Sequence, residues 1–201
     1  MFTPWSYEID AEDLPPLVSV QDFGTMTGGK YTNATLVETA LDAASHAIRN
    51  ACGWHISPSA SCTALLTASG NLAKLPAGYV SSVEKVSTRE PRSTEWHELT
   101  VPDEAEWRHD GLMRSDKFSD AWDGIEAEYT AGYESAAIPD LSFAVVGIAE
   151  GVLSLPKGVA SESADGVAVT YLSQAQSVAN AMTDSFKAQL EPYRLVSSHA
   201  V

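Results

Sequence analysis

Residues 125–155 carry the clearest pattern in the chain: a strand followed by a long apolar helix. Ile125, Ala127 and Tyr129 alternate with Glu126, Glu128 and Thr130, the period of two that marks a strand with one buried face. The chain turns at Ala131-Gly132-Tyr133. Pro139-Asp140 then opens a helix, the proline suiting the first helical position and the acid the positive helix end. Residues 141–155 read LSFAVVGIAEGVLSL, with Glu150 the only charge. A helix apolar on nearly every side has to be covered on nearly every side. An assembly does this more easily than one small chain, so the pattern points to a structural subunit more than to an enzyme.

Upstream, Ser19 and Asp22 stand at capping-box spacing and predict a short helix over 19–23. A longer helix is predicted over 33–52. Val37, Leu41, Ala44, Ile48 and Ala51 form its apolar stripe, Thr35 and Glu38 its capping box, and Gly53 its C-terminal cap. Residues 62–130 change character. Short strands are predicted at 63–67, 72–75, 80–87, 96–99, 107–108, 112–114 and 125–130, punctuated by Pro76, Gly78, Pro91, Pro102, Gly111 and Gly124. Beyond the apolar helix, Pro156-Lys157-Gly158 stops the pattern, and Val167, Val169 and Tyr171 alternate in a strand or hairpin over 161–171. A last helix is predicted over 175–191, with Val178, Met182, Phe186 and Leu190 as its apolar row and Pro192 as its stop. The first sixteen residues hold Glu8, Asp10, Glu12 and Asp13 and end in Pro15-Pro16, which reads as an extended acidic arm outside the core.

Composition narrows the function classes. The 201 residues suit one domain with a smaller insertion. With 27 acids against 12 bases the formal charge is −15, and Arg49, Lys74, Lys85, Arg108, Lys157 and Arg194 are scattered rather than clustered. Gripping nucleic acid through its phosphates needs clustered bases, so that class is disfavoured. A protein that lets DNA slide past without sticking remains compatible, because like charges repel. Cys52 and Cys62, without a signal peptide, are expected to be buried thiols in a reducing compartment. No apolar run approaches the roughly 18 residues of a membrane span, so the expectation is an intracellular, soluble chain with no membrane partner.

Candidate chemistry is sparse. Gly24 to Lys30 satisfies G-x-x-x-x-G-K, but Tyr31 stands where a phosphate-binding loop needs Ser or Thr, and no apolar strand precedes it; a glycine-rich turn is the better reading. Cys52 and His55 form C-x-x-H without a matching second pair, while His97, His109 and His199 stand alone, so no metal site is expected. No G-x-S-x-G occurs. Glu150 could be a general acid, yet a lone acid on an apolar helix is more often paired with a base. Glu162 and Asp165 suit a solvated hairpin as well as a carboxylate pair. The tryptophans are explained by packing or interfaces. No catalytic residue, metal or cofactor is expected.

An ordered set of motifs carries a family resemblance. It begins with Leu17-Val18-Ser19-Val20-Gln21-Asp22-Phe23, Thr27-Gly28-Gly29-Lys30-Tyr31 and a helix ending Ile48-Arg49-Asn50-Ala51-Cys52-Gly53-Trp54-His55-Ile56. Glu128-Tyr129-Thr130-Ala131-Gly132-Tyr133, Ile138-Pro139-Asp140-Leu141 and the apolar helix follow, and the segment 161–171 and Leu190-Glu191-Pro192-Tyr193-Arg194-Leu195 close it. Together these resemble the head-to-tail connector (adaptor) proteins of long-tailed bacteriophages, especially those of actinobacterial hosts. No single motif is diagnostic; the order carries the likeness.

The resemblance implies an α+β fold with a mainly helical connector core, three principal helices and a short N-terminal one, plus an antiparallel β insertion. The implied divisions are an acidic arm at 1–16, a helical core at 17–60 and 131–201, and a β-rich insertion at 61–130. It implies a non-enzymatic virion protein in the neck, assembled in the host cytoplasm as a homo-oligomeric, usually dodecameric ring below the portal. Its partners would be the portal, the next neck or tail protein (a stopper or tail terminator), and double-stranded DNA passing through the channel without sequence-specific binding. The runner-up is another neck component, a stopper or tail-completion protein, and a small acidic hydrolase is the alternative from a different class. Phe143, Val146, Glu150 and Leu153 are then candidate subunit-interface residues, and Glu162 and Asp165 candidate channel- or stopper-facing residues. Tyr193, Arg194 and Leu195 are candidates for docking on the portal, and truncation after Leu190 is expected to abolish that docking without unfolding the protein.

Overall fold

The structure, a computed structural model, describes residues 1–11, 13–154, 161–164, 167–170 and 184–195. The chain divides into two compact units. The first comprises Met1–Leu14, Cys52–Glu134 and Tyr193–Val201, and the second Pro15–Ala51 and Ser135–Pro192.

The first unit is built on an antiparallel five-stranded sheet. Its strands run in the order β1 (Tyr7–Ile9), β2 (Ala60–Leu66), β8 (Ile125–Ala131), β4 (Val80–Thr88) and β5 (His97–Leu99). β8 lies at the centre, and Ile125, Ala127, Tyr129 and Ala131 all point into the core, as its alternation predicts. β4 pairs with β8 through two register shifts, near Val80/Ser82 and Val83/Lys85. These bulges let a nine-residue strand follow a seven-residue partner. A second, three-stranded antiparallel sheet has the order β3 (Leu72–Lys74), β7 (Leu112–Arg114) and β6 (Glu106–Trp107).

The second unit holds the helices. α1 (Val20–Met26) is capped by Ser19, whose Oγ accepts the Asp22 N–H at 3.0 Å and donates to Asp22 Oδ2 at 2.6 Å. α2 (Ala34–Cys52) begins two positions earlier than its capping-box spacing suggests. Asn33 Oδ1 accepts the Leu36 N–H at 3.2 Å, leaving Thr35 inside the first turn. Val37, Leu41, Ala44 and Ile48 are buried along its stripe. The turn before α2 carries Gly28 and Gly29 at φ 64° and 72°, as a glycine-rich turn requires. α3 (Pro139–Leu153) has its proline in the first turn and no side-chain cap. β9 (Ser161–Ala164) and β10 (Val167–Thr170) form an antiparallel hairpin, and α4 (Asp184–Leu190) follows. Most of the predicted last helix, with Val178 and Met182, lies outside the described residues.

Two expectations are overturned. The core is not mainly helical. Among the described residues, ten strands form two larger antiparallel sheets and a hairpin, and four helices accompany them, two of only seven residues, so strands outnumber helices. Helical periodicity in α2 and α3 is conspicuous because it runs over many turns. The strands are short and broken by turn residues, so sequence alone understates how much core they build. The N-terminal stretch is also not wholly outside the core: Tyr7–Ile9 is an edge strand paired with β2, and Tyr7 and Ile9 are buried. Its acidic residues hide this, because Glu8 faces away while its two neighbours face in.

Candidate assembly surfaces

α3 covers most of its apolar surface within its own chain. Leu141, Ala144, Val145, Val146, Ile148, Ala149 and Val152 are buried. Gly147 permits the close approach of Phe186 from α4: a Cβ there would lie 2.9 Å from Phe186 Cζ. Of the four predicted interface residues, Val146 is thus inside the chain and Leu153 half-buried, whereas Phe143 is 68% exposed. Glu150 has a base for a partner. Lys30 Nζ lies 3.5 Å from its Oε1, and the Tyr31 hydroxyl donates to the same oxygen at 3.2 Å. The Lys30 ammonium is held above its ordinary pKa, first by the Tyr31 hydroxyl and then by the charges of Tyr31 and Glu150.

Phe143 stands at the rim of an apolar groove of about 500 Å³ in the helical unit, lined on one side by Val18, Thr25 and Met26 and on the other by Ala136 and Pro139. Among the described residues, Asp22 is its single charged lining residue. Sequence reading named Phe143 but not the groove, whose α1 wall is visible only once Val18 and Met26 are brought opposite Pro139.

The predicted portal-docking tail is largely engaged with its own unit. The buried Trp54 indole N–H donates to the Tyr193 carbonyl at 2.6 Å, and the Leu195 N–H donates to the Cys52 carbonyl at 2.9 Å. The Tyr193 ring meets Tyr133 edge-on at 5.9 Å. Tyr133 in turn stacks on Tyr79, and Tyr79 on His109, so the tail ends a row of aromatic rings. Arg194 alone of the three is exposed. Glu162 sits on β9 opposite Val169, and Asp165 lies outside the described residues.

Two histidines tie strands and loops of the sheet unit together. His55 is buried, with Nε2 3.1 Å from the Ala131 carbonyl and Nδ1 2.8 Å from the Tyr7 hydroxyl, linking β1 to β8. The His109 Nδ1–H donates to the Val80 carbonyl at 2.7 Å. Among the described residues, no group of three His, Cys, Asp or Glu side chains is placed to hold a metal ion, and no helix is long and apolar enough to cross a membrane.

No protein-family model and no curated protein matches the chain. Solved structures do. A chain in the neck of an empty gene transfer agent particle, computed with six-fold symmetry, aligns over 97% of this chain and 98% of its own, with TM-score 0.62 and 18% identity. This is a shared fold. A chain in the neck of the native particle, computed with twelve-fold symmetry, aligns over 96% and 98% with TM-score 0.56 and 18% identity. A chain in the virion of the native particle gives 97% and 98%, TM-score 0.60 and 18% identity. The correspondence covers nearly the whole of both chains in each case.

Proposed function

We propose that this protein is a structural component of the neck of a phage-like particle, where copies form a ring below the portal, join head to tail and extend the DNA channel. The observation that carries the reading is the end-to-end match of its fold to neck chains of a gene transfer agent, with almost no residue left over on either side. The ordered motifs 17–56 and 128–141 support the same reading independently. The charge of −15 per copy, multiplied around a ring, would discourage passing DNA from adhering. The ring would meet the portal on one side and a stopper or tail terminator on the other. The tail Tyr193-Arg194-Leu195, of which Arg194 is the exposed member, would dock on the portal, and Glu162 and Asp165 would face the channel or the stopper.

The β-rich body favours one second reading. The preference for an adaptor over a stopper or tail-completion protein leans on well-marked helices, and the helices here do not form the main core. Native mass spectrometry of the protein with the portal ring from the same genome separates the two. An adaptor binds the portal directly, in a fixed number of copies. A stopper binds only after another ring has been added. No association with either would defeat both readings.

A further inference from the structure

A closed ring of more than two copies is made where one patch of a subunit meets a different patch of the next. The chain offers such a pair. The hollow is the α1–α3 groove in the helical unit, and the knob is Trp122 in the sheet unit, whose side chain is 81% exposed. Trp122 does not dangle. Arg89 donates to the Trp122 carbonyl at 2.9 Å, the Asp123 carbonyl at 3.3 Å and the Ser93 carbonyl at 3.1 Å. The Asp123 N–H donates to Thr67 Oγ1 at 3.0 Å, the Gly124 N–H to the Ala121 carbonyl at 3.0 Å, and the Arg89 N–H to the Gly124 carbonyl at 2.9 Å. Five of these hydrogen bonds fix the backbone of residues 121–124, a loop that leaves its largest side chain in solvent. An indole carried on a fixed backbone docks without any ordering of its loop, and tryptophan is enriched among the anchors that dominate interfaces.

We infer that Trp122 of one copy seats in the Val18–Met26–Pro139–Phe143 groove of the next, forming the centre of the ring contact. The inference rests on the neck-ring reading and names the surface that closes the ring. A second copy is the occupant for two reasons. Chains of this fold occur in neck assemblies computed with six- and twelve-fold symmetry. Copies that each carry −15 also repel through their general surface, so their contact needs an apolar centre of the kind this pair supplies. The groove's volume falls within the range that encloses an aromatic group.

The test uses full-length protein assembled on the portal ring. Trp122→Cys and Met26→Cys variants are mixed and treated with a short bismaleimide; Cys52 and Cys62 are buried and do not compete. A linked dimer should form in the mixture and not with either variant alone, and the double variant should give a ladder up to the full ring. Trp122→Ala should raise the protein concentration needed for ring assembly by about tenfold or more, with its thermal midpoint unchanged. A ring that assembles without these links, or a Trp122→Cys link to the portal chain instead, overturns this inference and leaves the neck reading standing. Failure to form any ring overturns both.

Discussion

Two buried hydroxyl and thiol groups make the sheet unit sensitive to alkali. Burial pushes the Cys62 thiol up to about 12 from its ordinary 9.0, and burial likewise raises the Tyr129 phenol, whose oxygen finds no hydrogen-bond partner among the described residues. Both groups therefore stay protonated in the folded chain at pH values where the unfolded chain has begun to lose those protons. Their contribution is fully present below pH 9 and falls as the pH rises towards 12, by up to about 1.4 kcal/mol per pH unit for each group. Urea unfolding at pH 8, 9.5 and 11 should show this loss, and Cys62→Ala should make the slope shallower. An unchanged slope would mean that Cys62 titrates alike in both states. Gly132 is constrained differently. Its φ of 107° disfavours any side chain, and a Cβ there would collide with the Pro58 carbonyl oxygen and approach His55 Nε2 to 2.7 Å. Gly132→Ala should cost about 3 kcal/mol or more, read from the urea midpoint.

α3 allows the inward and outward roles of one helix to be separated by mutation. Ile148 is fully buried, so Ile148→Ala should destabilise the protein by about 2–5 kcal/mol. Phe143 points to solvent, so Phe143→Ala should leave stability within about 0.5 kcal/mol of the parent while weakening assembly. Equal thermal losses for the two would place Phe143 in the core. The helix itself is readable from its sequence because fifteen residues repeat one apolar signal, whereas which of its faces stays bare depends on partners distant in the chain. Lys30 and Tyr31 reach Glu150 across more than a hundred residues, and Phe186 presses on Gly147. β8 was equally legible, since its alternation spans seven residues. β1 was not, because three residues amid acids carry too little period to outweigh their charge. The candidate site divides the same way: Phe143 stands out as apolar, while Trp122 reads in sequence as one more packing aromatic.

At the scale of the whole molecule, the sheet unit gathers three separated stretches of chain, so its integrity depends on the C-terminal segment. The fully buried Trp54 has one indole N–H, and the Tyr193 carbonyl receives it. Truncation after Leu190 strands that donor at a cost of about 1–3 kcal/mol, and it also removes the Leu195–Cys52 backbone bond and the Tyr133–Tyr193 ring contact. A loss near 3 kcal/mol is expected, a large share of the 5–15 kcal/mol typical of a native protein. The expectation that this truncation spares the fold therefore does not survive the contacts the tail makes. Arg194→Ala is the cleaner probe. It keeps every backbone bond of the tail, and as an exposed charge its removal should change stability by less than about 1 kcal/mol. Urea unfolding followed by tryptophan fluorescence, paired with portal binding, separates the two effects. A truncated chain that unfolds at the parent's midpoint would show that the tail's bonds contribute nothing to the fold. Portal binding lost in Arg194→Ala at unchanged stability would assign that side chain to the docking surface.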